Sequence, residues 1–261
     1  KLSNLPFPDR SLVTDYNYTI DGKRTTTMIT SRGCPYNCAF CCKNWKGVRF
    51  RSAKNVLEEA EEIKELGYGG IMFYDDEMLL YLKRDKEIFK GLNDLGFVWR
   101  CFSRANLIKK KMAEFMSNNG CREILIGVES GSDDILQIIN KETSVAINRE
   151  VIRILHDSGI RVKVAMIIGL PGEKLATLVD TWEFCSDVEK YVSDWDFSLL
   201  VPYPGSDIYE HPEKYDIFFD KNDIYKPFKV GEGWEAIVST SKLNRETITY
   251  WRDMFHERFK K

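Results

Sequence analysis

Apolar residues recur along this chain at two alternating spacings. Over residues 52–66 they fall at Val56, Ala60, Ile63 and Leu66, one face of a helix, with Ser52 as a candidate N-cap and Gly67 as a stop. The β-branched run at 25–30 predicts a strand before it, and the apolar run at 71–74 a strand after it. The alternation continues. Helices are expected at 86–95, 109–119, 133–140, 148–158 and 176–188, and strands at 97–102, 123–128, 162–168 and 197–201. Residues 1–24 carry turn signals at Pro6, Pro8 and Asp21-Gly22 instead of periodicity. Past Gly205 the pattern dissolves into an aromatic, charged stretch. Asn244 then reads as the cap of a last helix, whose Ile248, Trp251, Phe255 and Phe259 share a face that is expected to pack on the preceding elements.

Strands alternating with helices predict a parallel sheet with right-handed crossovers. Six such steps fit an open (β/α)6 barrel, and a doubly wound sheet fits the same pattern. Three segments follow: 1–24, linker-like; 25–205, the α/β body; 206–261, a mixed C-terminal extension with the final helix. At 261 residues with 43% hydrophobic residues the chain can bury a sizeable core. A formal net charge of −2 argues against a large nucleic-acid footprint. No apolar run is long enough for a bilayer and no signal-peptide pattern is present, so seven cysteines predict a cytoplasmic protein with reduced thiols.

In an α/β barrel, chemistry sits at the C-terminal strand ends. Each expected strand is followed there by a distinctive loop: the cysteine segment after the first, Asp75-Asp76-Glu77 after the second and Ser103-Arg104 after the third. Glu129-Ser130-Gly131-Ser132, Gly169-Leu170-Pro171-Gly172-Glu173 and Pro202-Tyr203-Pro204-Gly205 follow the fourth, fifth and sixth. The cysteine segment, Ser31-Arg32-Gly33-Cys34-Pro35-Tyr36-Asn37-Cys38-Ala39-Phe40-Cys41, spaces three thiols as C-x3-C-x2-C. Soft thiolates select an iron–sulfur cluster or zinc. A closed zinc site wants four ligands, commonly in C-x2-C pairs, whereas three thiolates on a four-iron cluster leave one iron open. Cys42, Cys101, Cys121 and Cys185 read as bystander or structural thiols, and His156, His211 and His256 are scattered. Asp133-Asp134 reads as a helix start and Lys109-Lys110-Lys111 as a solvated face.

The cysteine spacing, its Arg-Gly-Cys-Pro start and its Phe40-Cys41 end resemble the radical S-adenosylmethionine superfamily. The resemblance covers roughly residues 25–205 and implies a partial TIM-type barrel. It implies that Cys34, Cys38 and Cys41 hold a [4Fe–4S] cluster whose open iron chelates S-adenosylmethionine, which an electron from the cluster splits to methionine and a 5′-deoxyadenosyl radical. On that reading Asp75 or Asp76 accepts from the cofactor's ammonium or ribose and Arg104 pairs with its carboxylate. Glu129 and Ser130 bond the ribose or amino group, Gly169 allows close backbone approach, and main chain beside Phe40 meets adenine. A small-molecule substrate and an external electron donor such as flavodoxin or ferredoxin are the implied partners.

Leu5-Pro6-Phe7-Pro8-Asp9-Arg10, Gly127-Val128-Glu129-Ser130-Gly131-Ser132 and Pro202-Tyr203-Pro204-Gly205-Ser206 further resemble the cobalamin-binding branch, whose members methylate unactivated carbon or phosphorus or rearrange rings. The chain opens on Lys1, with no cobalamin domain before the Leu-Pro segment. Either cobalamin comes through a domain outside this chain, or this is a cobalamin-independent relative. The expected function is hydrogen abstraction from a small molecule by the 5′-deoxyadenosyl radical. Cobalamin-dependent methyl transfer is the alternative, and a non-catalytic iron–sulfur electron carrier or redox sensor is the rival from another class. Methylthiotransferases are disfavoured, since their additional cysteine-bearing and RNA-binding domains are not in the sequence. Tyr203, Trp195 and Trp234 are candidate pocket aromatics that core packing explains equally well.

Overall fold

The computed structural model describes residues 1–12, 17–42, 47–225 and 235–261. Its strands and α-helices run β1 (Thr19–Ile20), β2 (Lys23–Met28), β3 (Ser31–Arg32), β4 (Arg49–Phe50), α1 (Ala53–Glu65), β5 (Gly70–Phe73), α2 (Leu82–Asp94), β6 (Val98–Ser103), α3 (Lys110–Asn118), β7 (Cys121–Glu129), α4 (Asp133–Ile138), α5 (Val145–Asp157), β8 (Arg161–Ile168), α6 (Leu175–Val188), β9 (Asp194–Leu199), α7 (Asp207–Glu210) and α8 (Arg245–Phe259). The main sheet has the order β1-β2-β5-β6-β7-β8-β9, and β3 pairs β4 in a separate ribbon. Pairings β2–β5, β5–β6, β6–β7 and β8–β9 are parallel, as the strand–helix alternation predicts.

The chain divides into two compact units, and the division cuts through β7 and β8. The first comprises Lys1–Pro35, Trp45–Ile126 and Ile154–Val162. Its core is aromatic: Phe73, Phe89 and Trp99 are fully buried, with the Phe89 and Trp99 rings stacked 4.3 Å apart. Trp99 can be buried because its indole N–H donates to the Asn119 carbonyl at 2.7 Å. Ser52 caps α1 as expected, accepting from Asn55 N, a contact worth about 1 kcal/mol. Asp21 and Gly22, both at positive φ, close a two-residue hairpin that adds β1 antiparallel to β2, a strand the weak periodicity of 1–24 did not announce. The Leu-Pro-x-Pro-Asp segment is fastened by Arg10, which donates to the Thr27 carbonyl at 2.9 Å and pairs with buried Glu59. Arg51 takes the other oxygen of the same carboxylate.

The second unit comprises Tyr36–Asn44, Gly127–Arg153 and Lys163–Lys261. Burial alternates strictly along β8 and β9, so Val164, Met166, Trp195 and Phe197 are buried while Lys163, Ala165, Asp196 and Ser198 lie on the more open face. Helix α8, capped by Asn244, inserts Ile248, Phe255 and Phe259 into a cluster with Trp182, Trp195 and Phe197. The expected shared face is therefore a core face, with Trp251 at its edge against Trp182.

Boundaries differ from expectation where buried polar residues disguise periodicity. Helix α2 begins at Leu82, four residues early, because Arg84 and Asp85 in its first turn are buried as an ion pair. Strand β9 begins at Asp194, whose charge is taken up by Lys163 and Lys260. Helix α5 begins at Val145, three residues before buried Asn148. Strand β2 ends at Met28 because Thr30 turns to bond Asp75.

Candidate cofactor site

In the first unit the approach to the cysteine loop is held from the end of β5. Asp75 is buried and accepts from the Thr30 backbone N–H and from the Thr30 and Ser31 hydroxyls. Burial pushes its carboxyl up, against the hydrogen bonds that favour the ionised form. Asp76 accepts from Gly33 N at 2.6 Å. Both acids thus anchor the chain that leads into Cys34, and neither begins α2. Gly33 has φ of 96°, and a Cβ there would lie 2.1 Å from the Gly47 carbonyl oxygen. No side chain is admitted at this position. Arg104 is buried just past β6, and its backbone N–H and the Ser103 hydroxyl both donate to Glu77.

In the second unit the loop is held by its main chain. Ala39 N donates to the Ile139 carbonyl, Ala39 O accepts from Ile208 N, and the Asn140 side chain donates to the Asn37 carbonyl. The main-chain groups of Ala39, beside Phe40, are therefore both engaged. Glu129, at the end of β7, has φ of 70° and pairs with Lys141 at 2.6 Å. The Lys141 ammonium also stands 5.7 Å from the centre of the Phe40 ring. Ser130 is buried against Thr181 and accepts from Ser132 N, while Gly131 N donates to Thr181 Oγ1. Ser130 thus joins this bend to α6. Gly169 N and Leu170 N donate to one oxygen of buried Glu173. Burial pushes the Glu173 carboxyl up to about 8.

Lys141 carried no signal in the sequence, whereas Glu77 and Glu173 stood out there only as members of strand-end loops, with no role of their own. Trp195 is fully buried and stacked on Phe197, so it is core and not pocket wall, whereas Tyr203 is exposed. Trp234 lies outside the described residues. Cys101, Cys121 and Cys185 are buried, and desolvation raises each thiol's pKa, which fits inert structural roles. Asp133 opens α4 and accepts from Val145 N.

Cys34 and Cys38 are half-buried and Cys41 is exposed. Among the described residues no three Cys, His, Asp or Glu side chains converge closely enough to hold a metal ion. The loop places three thiols within eight consecutive residues. The donor set fits an iron–sulfur cluster: three soft thiols reachable from solvent, on a loop fixed at Gly33 and Ala39.

Residues 28–185 match the model of the Radical SAM superfamily, whose cofactors are a [4Fe–4S] cluster and S-adenosylmethionine. The anaerobic magnesium-protoporphyrin IX monomethyl ester cyclase of Rubrivivax gelatinosus is 29% identical, over 94% of this chain and 45% of that protein. An uncharacterized methyltransferase of Pyrococcus horikoshii is 30% identical, over 80% of this chain and 47% of that protein. The chain thus spans about half the length of these curated relatives. Among solved structures, the radical S-adenosylmethionine methyltransferase TsrM of Kitasatospora setae, with cobalamin and a [4Fe–4S] cluster bound, aligns with a TM-score of 0.64 at 17% identity, over 72% of this chain and 39% of that one. The coproporphyrinogen III oxidase HemN of Escherichia coli, a radical SAM enzyme, aligns with a TM-score of 0.63 at 11% identity, over 96% of this chain and 61% of that one. The fold is accordingly the partial TIM-type barrel that the family resemblance implied, and not the doubly wound sheet that the strand–helix repeat also allowed. Among the described residues no helix is long and apolar enough to cross a membrane. With more than half its length matched by the superfamily model, the chain belongs to the radical SAM superfamily.

Proposed function

We propose that this chain is the catalytic core of an enzyme that cleaves S-adenosylmethionine reductively and turns the resulting radical on a small-molecule substrate. The observation that carries the reading is the C-x3-C-x2-C loop, which follows β2 inside the matched segment 28–185. Cys34, Cys38 and Cys41 would hold the cluster. When bound and reduced by an external donor, the cluster supplies the electron that splits the sulfonium to methionine and a 5′-deoxyadenosyl radical. The chain's own residues do the rest. Asp75 and Asp76 hold the entry to the loop, Ile139 and Asn140 hold its middle, and Glu129 offers a carboxylate to the cofactor's ribose or ammonium. Arg104 is assigned to the cofactor carboxylate, Gly169 to close backbone approach, and Phe40 to the adenine side. Asp75, Asp76 and Ser130 act through the backbone they fasten.

Methyl transfer assisted by cobalamin is the second reading. It is favoured by the methyltransferases among the relatives and by the likeness to a cobalamin-bound methyltransferase structure. One anaerobic experiment tests both. The chain is reconstituted with iron and sulfide, S-adenosylmethionine and dithionite are added, and products are separated with and without cobalamin. 5′-Deoxyadenosine is the expected product. Its absence despite a spectroscopically verified cluster overturns the reading in favour of an electron carrier or redox sensor. S-Adenosylhomocysteine that forms only with cobalamin selects methyl transfer.

A further inference from the structure

The β3–β4 ribbon and the first turns of α1 and α2 line a cavity of about 1060 Å³ in the first unit, large enough for a small-molecule ligand. Its charge is one-sided. Among the described residues six cations line it, Lys1, Arg32, Arg49, Arg51, Lys83 and Arg84, against one acid, Glu87. None of these is assigned to the cluster or to S-adenosylmethionine.

Two of the cations belong to the fold. Arg84 pairs with Asp85 at 2.6 Å and donates to the Arg51 and Thr30 carbonyls, while Arg51 pairs with Glu59. The lining still carries the other four cations and the single acid. Arg32 and Arg49 are direct partners in the ribbon register. Like charges opposite one another destabilise a strand pair, and a multiply charged anion between them reverses that sign.

The same cavity has an aromatic wall. Phe50 and Tyr81 meet edge to face with ring centres 5.8 Å apart, and the Arg84 guanidinium stands 5.3 Å from the Phe50 ring. Tyr81 is 51% exposed. An electrostatic patch alone has no use for an exposed ring, and an apolar pocket has none for a set of cations. A planar base joined to phosphates uses both.

We propose that this cavity is a binding site for a nucleoside polyphosphate, with the phosphates held by Arg32, Arg49 and Lys83 and the base stacked on Tyr81. The site is independent of the proposed radical chemistry, since it shares no residue with it.

The test is calorimetric titration of the anaerobically reconstituted chain with ADP, pyrophosphate and adenosine in magnesium-free buffer. Wild type is compared with Arg49→Ala/Lys83→Ala, Tyr81→Leu and Lys54→Ala. Lys54 is an exposed α1 lysine outside the cavity lining and controls for non-specific charge. Iron content and circular dichroism control for folding. ADP should bind most tightly of the three, and its Kd should rise about tenfold or more in the double variant. Tyr81→Leu should weaken ADP about fivefold or more while leaving pyrophosphate unchanged. Lys54→Ala should change nothing, and saturating S-adenosylmethionine should not displace ADP. Absence of ADP binding at millimolar concentration, an unmoved Kd in the double variant, an equal loss in Lys54→Ala, or displacement by S-adenosylmethionine overturns the site. Pyrophosphate that binds as tightly as ADP, with Tyr81→Leu silent, overturns the nucleoside and makes the ligand an inorganic polyphosphate.

Discussion

Glu173 sits in the loop after β8, its carboxylate oxygen held by two backbone N–H groups. Burial outweighs those donors and moves its pKa from an ordinary 4.5 to about 8. Between those values the folded chain keeps a proton that the unfolded chain has released, so stability falls as pH rises through that window and levels off above it. Glu173→Gln removes the titration. The difference in urea midpoint between pH 5 and pH 8 should shrink in the variant, and an unchanged difference would refute the assignment. Glu59 presents the opposite case: its carboxylate is shared by the guanidinium groups of Arg10 and Arg51, all nearly buried. Glu59→Gln leaves two cations facing each other without a counter-charge and should cost about 3–5 kcal/mol in chemical unfolding. Neither acid declares itself in the sequence. A helical acid reads as solvated and a post-strand acid as a loop residue until the fold brings donors to it. The cysteine triplet was legible for the opposite reason, since its three thiols are local to one loop.

At the level of elements, what the sequence discloses is the apolar face, and what it hides is the polar residue that the fold buries. Helix α1 was legible from end to end because its cap, stripe and stop are all local. Helix α2 lost its first turn to the Arg84–Asp85 pair. The β3–β4 ribbon was invisible, since two-residue strands carry no period. Yet this ribbon brackets the cysteine loop and sets its closest approach, Gly33 against the Gly47 carbonyl. Gly33→Ala combines a steric overlap with a left-handed φ, so the loop cannot keep its course. The variant should take up far less iron than wild type on anaerobic reconstitution, measured by iron and sulfide per chain, while its far-ultraviolet circular dichroism is retained. Full iron uptake would sink the claim. Helix α8 makes a parallel case for the C-terminal segment. Phe255 is fully buried and packs on Trp182 and Phe197. Phe255→Ala should therefore cost about 3–5 kcal/mol, as a core truncation does.

Across the whole molecule, stability and cofactor loading are one equilibrium. The thiols assigned to the cluster are half-buried or exposed and take no part in either unit's core, while the buried cysteines are elsewhere. The ligand-free fold therefore rests on the aromatic cores. Changing Cys34, Cys38 and Cys41 together to Ser should lower apo stability by no more than ~0.5 kcal/mol per site. A group that binds only the folded chain stabilises it by about 2.7 kcal/mol at a hundredfold excess over Kd, which corresponds to roughly 5–10 °C in Tm for a chain of this size. Anaerobic thermal unfolding of four samples reads this directly: wild type and the triple variant, each before and after reconstitution. The expected pattern is similar Tm for both apo forms, a rise of that size in reconstituted wild type, and no rise in the variant. A variant that gains the same rise would place the cluster on other residues. An apo variant that melts far below apo wild type would show that these thiols hold the fold itself, contrary to the exposure they have.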